Sequence, residues 1–341
     1  MKRRALVGFA AVMLLASPSS AQERDGNPNQ PPEHTEPFPN LSTGKNRAEA
    51  MRSFELAPHM QRGVPAKEML EQNRRLSAAL DALAPQRPGV VDAFVLTIAL
   101  DSDPVFAREA REAGRVLSRR YDGAGRTLTL AGPDGTRDDL PQGSIRSLLL
   151  SLAHIGEIMD PSEDVLVLYT TSHGAKLGLV NHYGDTVYGI FSPVRLRQVL
   201  EEVGITRRLL IISACYSGVF VPELASPDTA ILTAASSQRS SFGCEAENDW
   251  TFYGDALINN ALRKPQPLKA AASEATRQIA VWETERRLLA SLPQTSVGGN
   301  VSSWLGELES RMPQVATAPV GRPAIGDGRT TSPDPRRAGR R

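Results

Sequence analysis

The sequence predicts an α/β protein built on a mostly parallel sheet, and three observations carry that reading. Val165-Leu-Val-Leu-Tyr-Thr-Thr-Ser-His173-Gly174 is an apolar, β-branched run that stops at a histidine. Leu209-Leu-Ile-Ile-Ser-Ala214-Cys215-Tyr-Ser-Gly218 has the same character and stops at a cysteine. Such runs, bounded by Gly and Ser, fit strands covered on both faces. The third observation is the regular alternation of strand and helix patterns from Val90 onward, which implies parallel pairing with right-handed crossovers.

The elements follow in chain order. Met1-Lys-Arg-Arg4, an apolar run from Ala5 to Ala16 and the small residues up to Ala21 form a secretory signal peptide, so the chain is expected outside the cytoplasm, periplasmic or extracellular. The apolar run falls short of the ~20 residues of a membrane span, so no stable anchor is expected. Residues 22–44 are rich in Pro, Asn and Glu and read as a flexible leader. Residues 47–83 carry helical periodicity (Met69, Leu70, Leu76, Leu80, Leu83), giving an N-terminal helical leader that ends at Pro85 and Pro88. It is either a pro-segment over the crevice or a buttress of the core.

Ala93 to Leu100 is a strand, and Asp103-Pro104 supplies an N-cap and first-turn proline for a helix to Arg119. Arg126 to Leu130 is a second strand, and Ser144 opens a helix with Leu148, Leu152, Ile155 and Met159 on one face. The His173 strand follows, then a helix begun by Ser192-Pro193 and stopped by Gly204. After the Cys215 strand come a strand from Thr229 to Ala235 and a helical region over 253–292. The domain is expected over 89–292, with 293–341 a C-terminal extension that turns into a disordered tail beyond Met312.

Composition bounds the function. A net charge of +1 gives no electrostatic case for nucleic acid. Cys215 and Cys244 are the only cysteines, and in an oxidising compartment they either pair or leave Cys215 as a presented thiol. No His, Cys or carboxylate spacing resembles a zinc site, and neither a Gly-x-Ser-x-Gly elbow nor a P-loop is present, so no metal or cofactor is expected.

In open α/β sheets, ligands bind at the carboxyl ends of strands. If the two strands are neighbours, imidazole and thiol share one crevice, as a Cys–His nucleophilic pair requires. A free thiol is mostly protonated at neutral pH and needs such a partner or a helix N-terminus. Gly174 lets a backbone N–H approach a developing oxyanion. His182, in a loop near His173, is a second candidate base, whereas His154 on a helix face reads as a boundary residue.

Ser-His173-Gly174 after an apolar strand, followed by Ser-Ala214-Cys215-Tyr-Ser-Gly218, resembles the dyad of the legumain family of cysteine peptidases, in the caspase-like superfamily. A third block agrees: Leu232-Thr-Ala-Ala-Ser-Ser-Gln-Arg-Ser240-Ser241-Phe-Gly-Cys244, then Trp250-Thr-Phe-Tyr-Gly254-Asp255. The resemblance spans about 90–292 and implies a caspase-like three-layer sandwich. It implies an endopeptidase acting on peptide or protein substrates, or a transpeptidase using the same dyad. Cys215 would attack the scissile carbonyl, His173 would manage the proton, and the N–H groups of Gly174 and Cys215 would hold the oxyanion. Ser213, Ser240, Ser241 and Asp255 would line the substrate pocket, and Asp101 would help orient His173. The family's acidic residue two before the nucleophile is Ser213 here, so strict asparagine specificity is not implied. A pocket with carboxylates and fewer cations favours a basic or polar side chain. The alternative from another class is a non-catalytic exported binding module with the same fold and Cys215 joined to Cys244.

Overall fold

A computed structural model describes residues 45–132 and 139–325. The expected signal peptide over residues 1–21 and the segment 22–44 lie outside the described residues, as does the chain beyond 325. In chain order the first elements are α1 (Arg47–Glu55), β1 (His59–Gln61), α2 (Ala66–Asp81), β2 (Ala93–Ala99), α3 (Pro104–Arg120) and β3 (Thr127–Leu130). Next come α4 (Ile145–Ile158), β4 (Val165–Thr171), β5 (Gly174–Ala175), β6 (Gly178–Tyr183), β7 (Val187–Phe191) and α5 (Pro193–Glu202). The chain continues through β8 (Arg208–Ser213), α6 (Phe220–Leu224), β9 (Thr229–Thr233), α7 (Leu268–Glu285), β10 (Gln294–Val297) and α8 (Val301–Ser310).

Six strands form the main sheet in the order β10-β9-β8-β4-β2-β3, parallel except for β10. Every residue of β2, β4, β8 and β9 is buried, as the apolar runs require of strands covered on both faces. Alternate side chains feed two cores. Val95, Val167, Tyr169, Leu209, Ile211 and Leu232 pack towards α3, α7 and α8. Leu96, Ile98, Leu166, Leu168, Leu210 and Ile231 pack with side chains of α2, α4, α5 and α6. The result is a three-layer α/β sandwich. Helix α2 contributes Leu76 to the second core, with Leu80 and Leu83 beside it.

Helix starts follow the sequence signals in two places. The Ser144 hydroxyl accepts from the Ser147 N–H, and the Ser192 hydroxyl accepts from the Arg195 N–H. Asp103 stands at the N-cap of α3 but makes no capping hydrogen bond.

Three expectations need correction. The domain does not end at 292: β10 extends the main sheet against β9, and α8 buries Trp304 and Leu308 in the core. The stretch beyond Met312 is no free tail as far as 325, because Trp250 Nε1 donates to the Val320 carbonyl and the Ala324 N–H donates to Asp255. The helical region over 253–292 is a π-helical segment (Gly254–Asn260), a 3-10 turn and α7, ending at Glu285. A second, antiparallel sheet, β1-β7-β6-β5, was not legible; its short strands mix Gly, His and Asn with apolar residues. No helix among the described residues is long and apolar enough to cross a membrane.

Candidate active site

Strands β4 and β8 pair in parallel with Thr171 opposite Ser213. His173 and Cys215 each lie two residues further on, so the register brings both to one end of the sheet. Gly174 fixes how close the two strand ends come. A Cβ built there would lie 3.0 Å from the Cys215 nitrogen and 1.9 Å from its carbonyl oxygen, so only glycine fits. After Cys215 the chain turns sharply: Tyr216 is left-handed (φ 56°), its N–H donates to the Arg239 carbonyl, and a 3-10 turn leads into α6. This strained turn projects the cysteine from the strand end.

The thiol is half-buried and held by the 240–244 loop. The Ser241 N–H donates to Sγ at 3.3 Å, and the Ser241 hydroxyl lies 3.7 Å away. The Cys215 pKa falls well below that of an ordinary thiol, first through a hydrogen bond from the Cys244 thiol, against burial, and then through Ser241 and Ser240. The same contact and burial push the Cys244 thiol up. Both cysteines are free in this structure. Ser240 is exposed and Ser241 half-buried, and both reach the Cys215 sulfur.

The imidazole has other neighbours. His173 Nε2 is 3.3 Å from Asp103 Oδ2, and its ring meets Phe106 edge-on with centroids 5.0 Å apart. Asp103 therefore spends its carboxylate on His173 rather than on the helix cap. No hydrogen bond joins His173 to Cys215. Asp101, the expected orienter, is not the residue that holds the ring. Its Oδ1 accepts from the Asp103 N–H, and Oδ2 is 3.3 Å from His182 Nδ1. Asp101 thus ties β2 to β6 and presents Asp103, which does the orienting two residues on. A cleft of about 380 Å³ opens beside Asp101, with Glu68 of α2 on its wall. Asp101, Asp103 and His173 lie close enough to share a cation, but two of the three already pair with each other.

Two expected pocket residues turn inward. Asp255 is 2% exposed, and both its oxygens are engaged inside the fold, accepting from Asn259, Asn260 and the Ala324 N–H. Ser213 is equally buried and its hydroxyl donates to Glu109 of α3. Neither lines an open pocket. Asp103, Phe106, Glu109 and Cys244 are the neighbours the motifs did not reveal. Phe106 and Glu109 lie at spacings of three from Asp103, which places them on one side of α3.

The Peptidase C13 family model matches residues 151–301. No curated protein sequence matches the chain. Among solved structures, the chain is similar to caspase-1 from Spodoptera frugiperda at 13% identity and a TM-score of 0.39, over 63% of this chain and 93% of that one. The family match begins inside α4, so α3 with Asp103 and Glu109 lies outside it. It does span β4, β8 and the loop to Asp255, and with it the resemblance of this chain to the legumain family of cysteine peptidases is shown.

Proposed function

We propose that this chain is an exported cysteine endopeptidase in which Cys215 and His173 form the catalytic pair. The observation that carries the reading is the Gly174–Cys215 backbone contact, which brings the ends of the histidine and cysteine strands together beside a thiol of lowered pKa. Nucleophile, base and backbone N–H groups then converge in one crevice, as acyl transfer requires.

In the proposed reaction the Cys215 thiolate attacks the scissile carbonyl carbon, forming the C–S bond as the carbonyl electrons move to oxygen. The N–H groups of Gly174 and Cys215 hold that oxyanion. His173 gives a proton to the leaving nitrogen as the C–N bond breaks, leaving a thioester. Water, deprotonated by His173, then attacks the thioester, the C–S bond breaks and the thiolate returns. An amine in place of water gives transpeptidation from the same intermediate. Export rests on the pattern of residues 1–21.

A peptide library assayed with the natural chain and Cys215→Ala tests the reading. Cleavage or transfer that disappears in the variant supports it, and hydrolysis that survives refutes it. The proximity of Cys244 to Cys215 is the one observation that favours the binding-module reading. A mass two protons short, with no thiol alkylated, would select that module.

A further inference from the structure

Glu109 is fully buried and faces no cation at hydrogen-bond distance. Its Oε1 accepts from the Tyr169 hydroxyl at 2.5 Å, Thr171 Oγ1 at 2.8 Å and Ser213 Oγ at 2.9 Å. Its Oε2 accepts from the Thr251 N–H at 2.9 Å and the Thr251 hydroxyl at 2.8 Å. Burying a carboxylate is costly, and donors are what make it tolerable. An apolar residue at this position would serve packing alone better.

The placement of the donors is informative. Tyr169 and Thr171 are on the strand that ends at His173, and Thr171 is two residues before it. Ser213 is two residues before Cys215. Thr251 belongs to the loop that runs from Cys244 to Asp255. Gly254 closes over the carboxylate so tightly that a Cβ would sit 2.0 Å from Oε2. One side chain therefore joins the histidine strand, the cysteine strand and the pocket loop. It comes from the helix whose first turn holds the imidazole through Asp103 and Phe106.

We propose that Glu109 is a positioning residue of the Cys215–His173 site, acting from α3 on the ends of both strands. The inference rests on the peptidase reading given above. Because its oxygens are saturated and out of reach of solvent, Glu109 does not touch substrate. It sets the separation of the two strand ends and the seat of the loop that polarises the thiol.

The test measures alkylation of Cys215 by iodoacetamide in a Cys244→Ser background, where one thiol remains. Glu109→Gln keeps the shape but, with its amide oxygen on the fixed Thr251 N–H, turns its N–H₂ on the Tyr169, Thr171 and Ser213 hydroxyls that now donate to the carboxylate. With the folded state checked by circular dichroism, well below the unfolding temperature, the alkylation rate at neutral pH should fall about tenfold or more, as expected of a misplaced nucleophile. Hydrolysis should lose kcat more than KM, and Glu109→Asp should restore part of both. A folded Glu109→Gln protein alkylated within about twofold of the parent, the scatter of a neutral change, overturns the proposal. Should Glu109→Gln fail to fold, Ser213→Ala and Thr251→Val remove one hydroxyl donor each. Slowed alkylation in both then supports the proposal, and parental rates in both overturn it. Hydrolysis surviving in Cys215→Ala would instead sink the peptidase reading, while the alkylation comparison still judges Glu109.

Discussion

The two halves of the crevice are built differently. On the cysteine side the thiol is half-buried, and its support is a loop: Ser240, Ser241 and Cys244 all bear on Sγ. On the histidine side the imidazole is 42% exposed, and its support is a helix start, where Asp103 and Phe106 meet the ring. The thiol thus has close donors in a partly dry setting, whereas the imidazole is held by a carboxylate in contact with water. The Cys215 pKa is lowered from the 240–244 loop, with no hydrogen bond from the imidazole to the sulfur.

The largest break in this comparison is Cys215→Ala, which should lower hydrolysis by on the order of 10⁴ or more with the fold intact, measured on a cleaved library peptide. His173→Ala should cost about 10²–10⁴ in kcat, the range of a general acid–base group, yet leave Cys215 readily alkylated below the usual thiol range. Alkylation lost together with activity would mean that imidazole, not the loop, charges the sulfur. Asp103→Asn is expected to cost about tenfold in kcat, as loss of an orienting carboxylate does, with thiol reactivity unchanged. Cys244→Ala sharpens the other side. Without the thiol hydrogen bond the Cys215 pKa rises, so the alkylation profile moves to higher pH and the rate below neutrality drops. An unmoved profile would show that Ser241 alone suffices.

The smallest catalytic effect is expected at Asp255. Asp255→Asn leaves one oxygen where two accept, so either the Ala324 N–H or the Asn259 and Asn260 amides lose their acceptor, and the change should destabilise by about 1–3 kcal/mol in a denaturant melt. The residue preferred before the cut should stay the same. A changed preference would put Asp255 back in contact with substrate.

Much of this crevice was legible in the sequence because strand ends are punctuated locally. Apolar runs closed by His173-Gly174 and Cys215-Tyr216 name the strands, and the βα rhythm makes them parallel. What was not legible depends on tertiary contacts. Asp103 before Pro104 has the local form of a cap, and only the fold shows that His173 competes for its carboxylate. Glu109 sits in a charged helical stretch, Arg108-Glu-Ala-Arg111, that reads as a solvated face. Its one clue is position, between Phe106 and Ala113 on the buried side. Asp255 carries a family resemblance for substrate contact, yet Asn259, Asn260 and Ala324 claim its oxygens. Strand β10 and helix α8 were hidden because Pro and Gly around them resemble a linker.

The hydrogen bonds from residues 320–324 to the 249–259 loop have a consequence for synthesis. Trp250, Asn259 and Asp255 find partners 61 to 70 positions downstream. On a ribosome adding roughly 5–20 residues per second, the strands bearing His173 and Cys215 emerge several seconds before those partners do. During that interval Trp250, Asp255 and Asn259 lack these partners, so the segment that follows the 240–244 loop is not yet fastened by them. The order of the sequence thus leaves the fastening of this segment until late in synthesis.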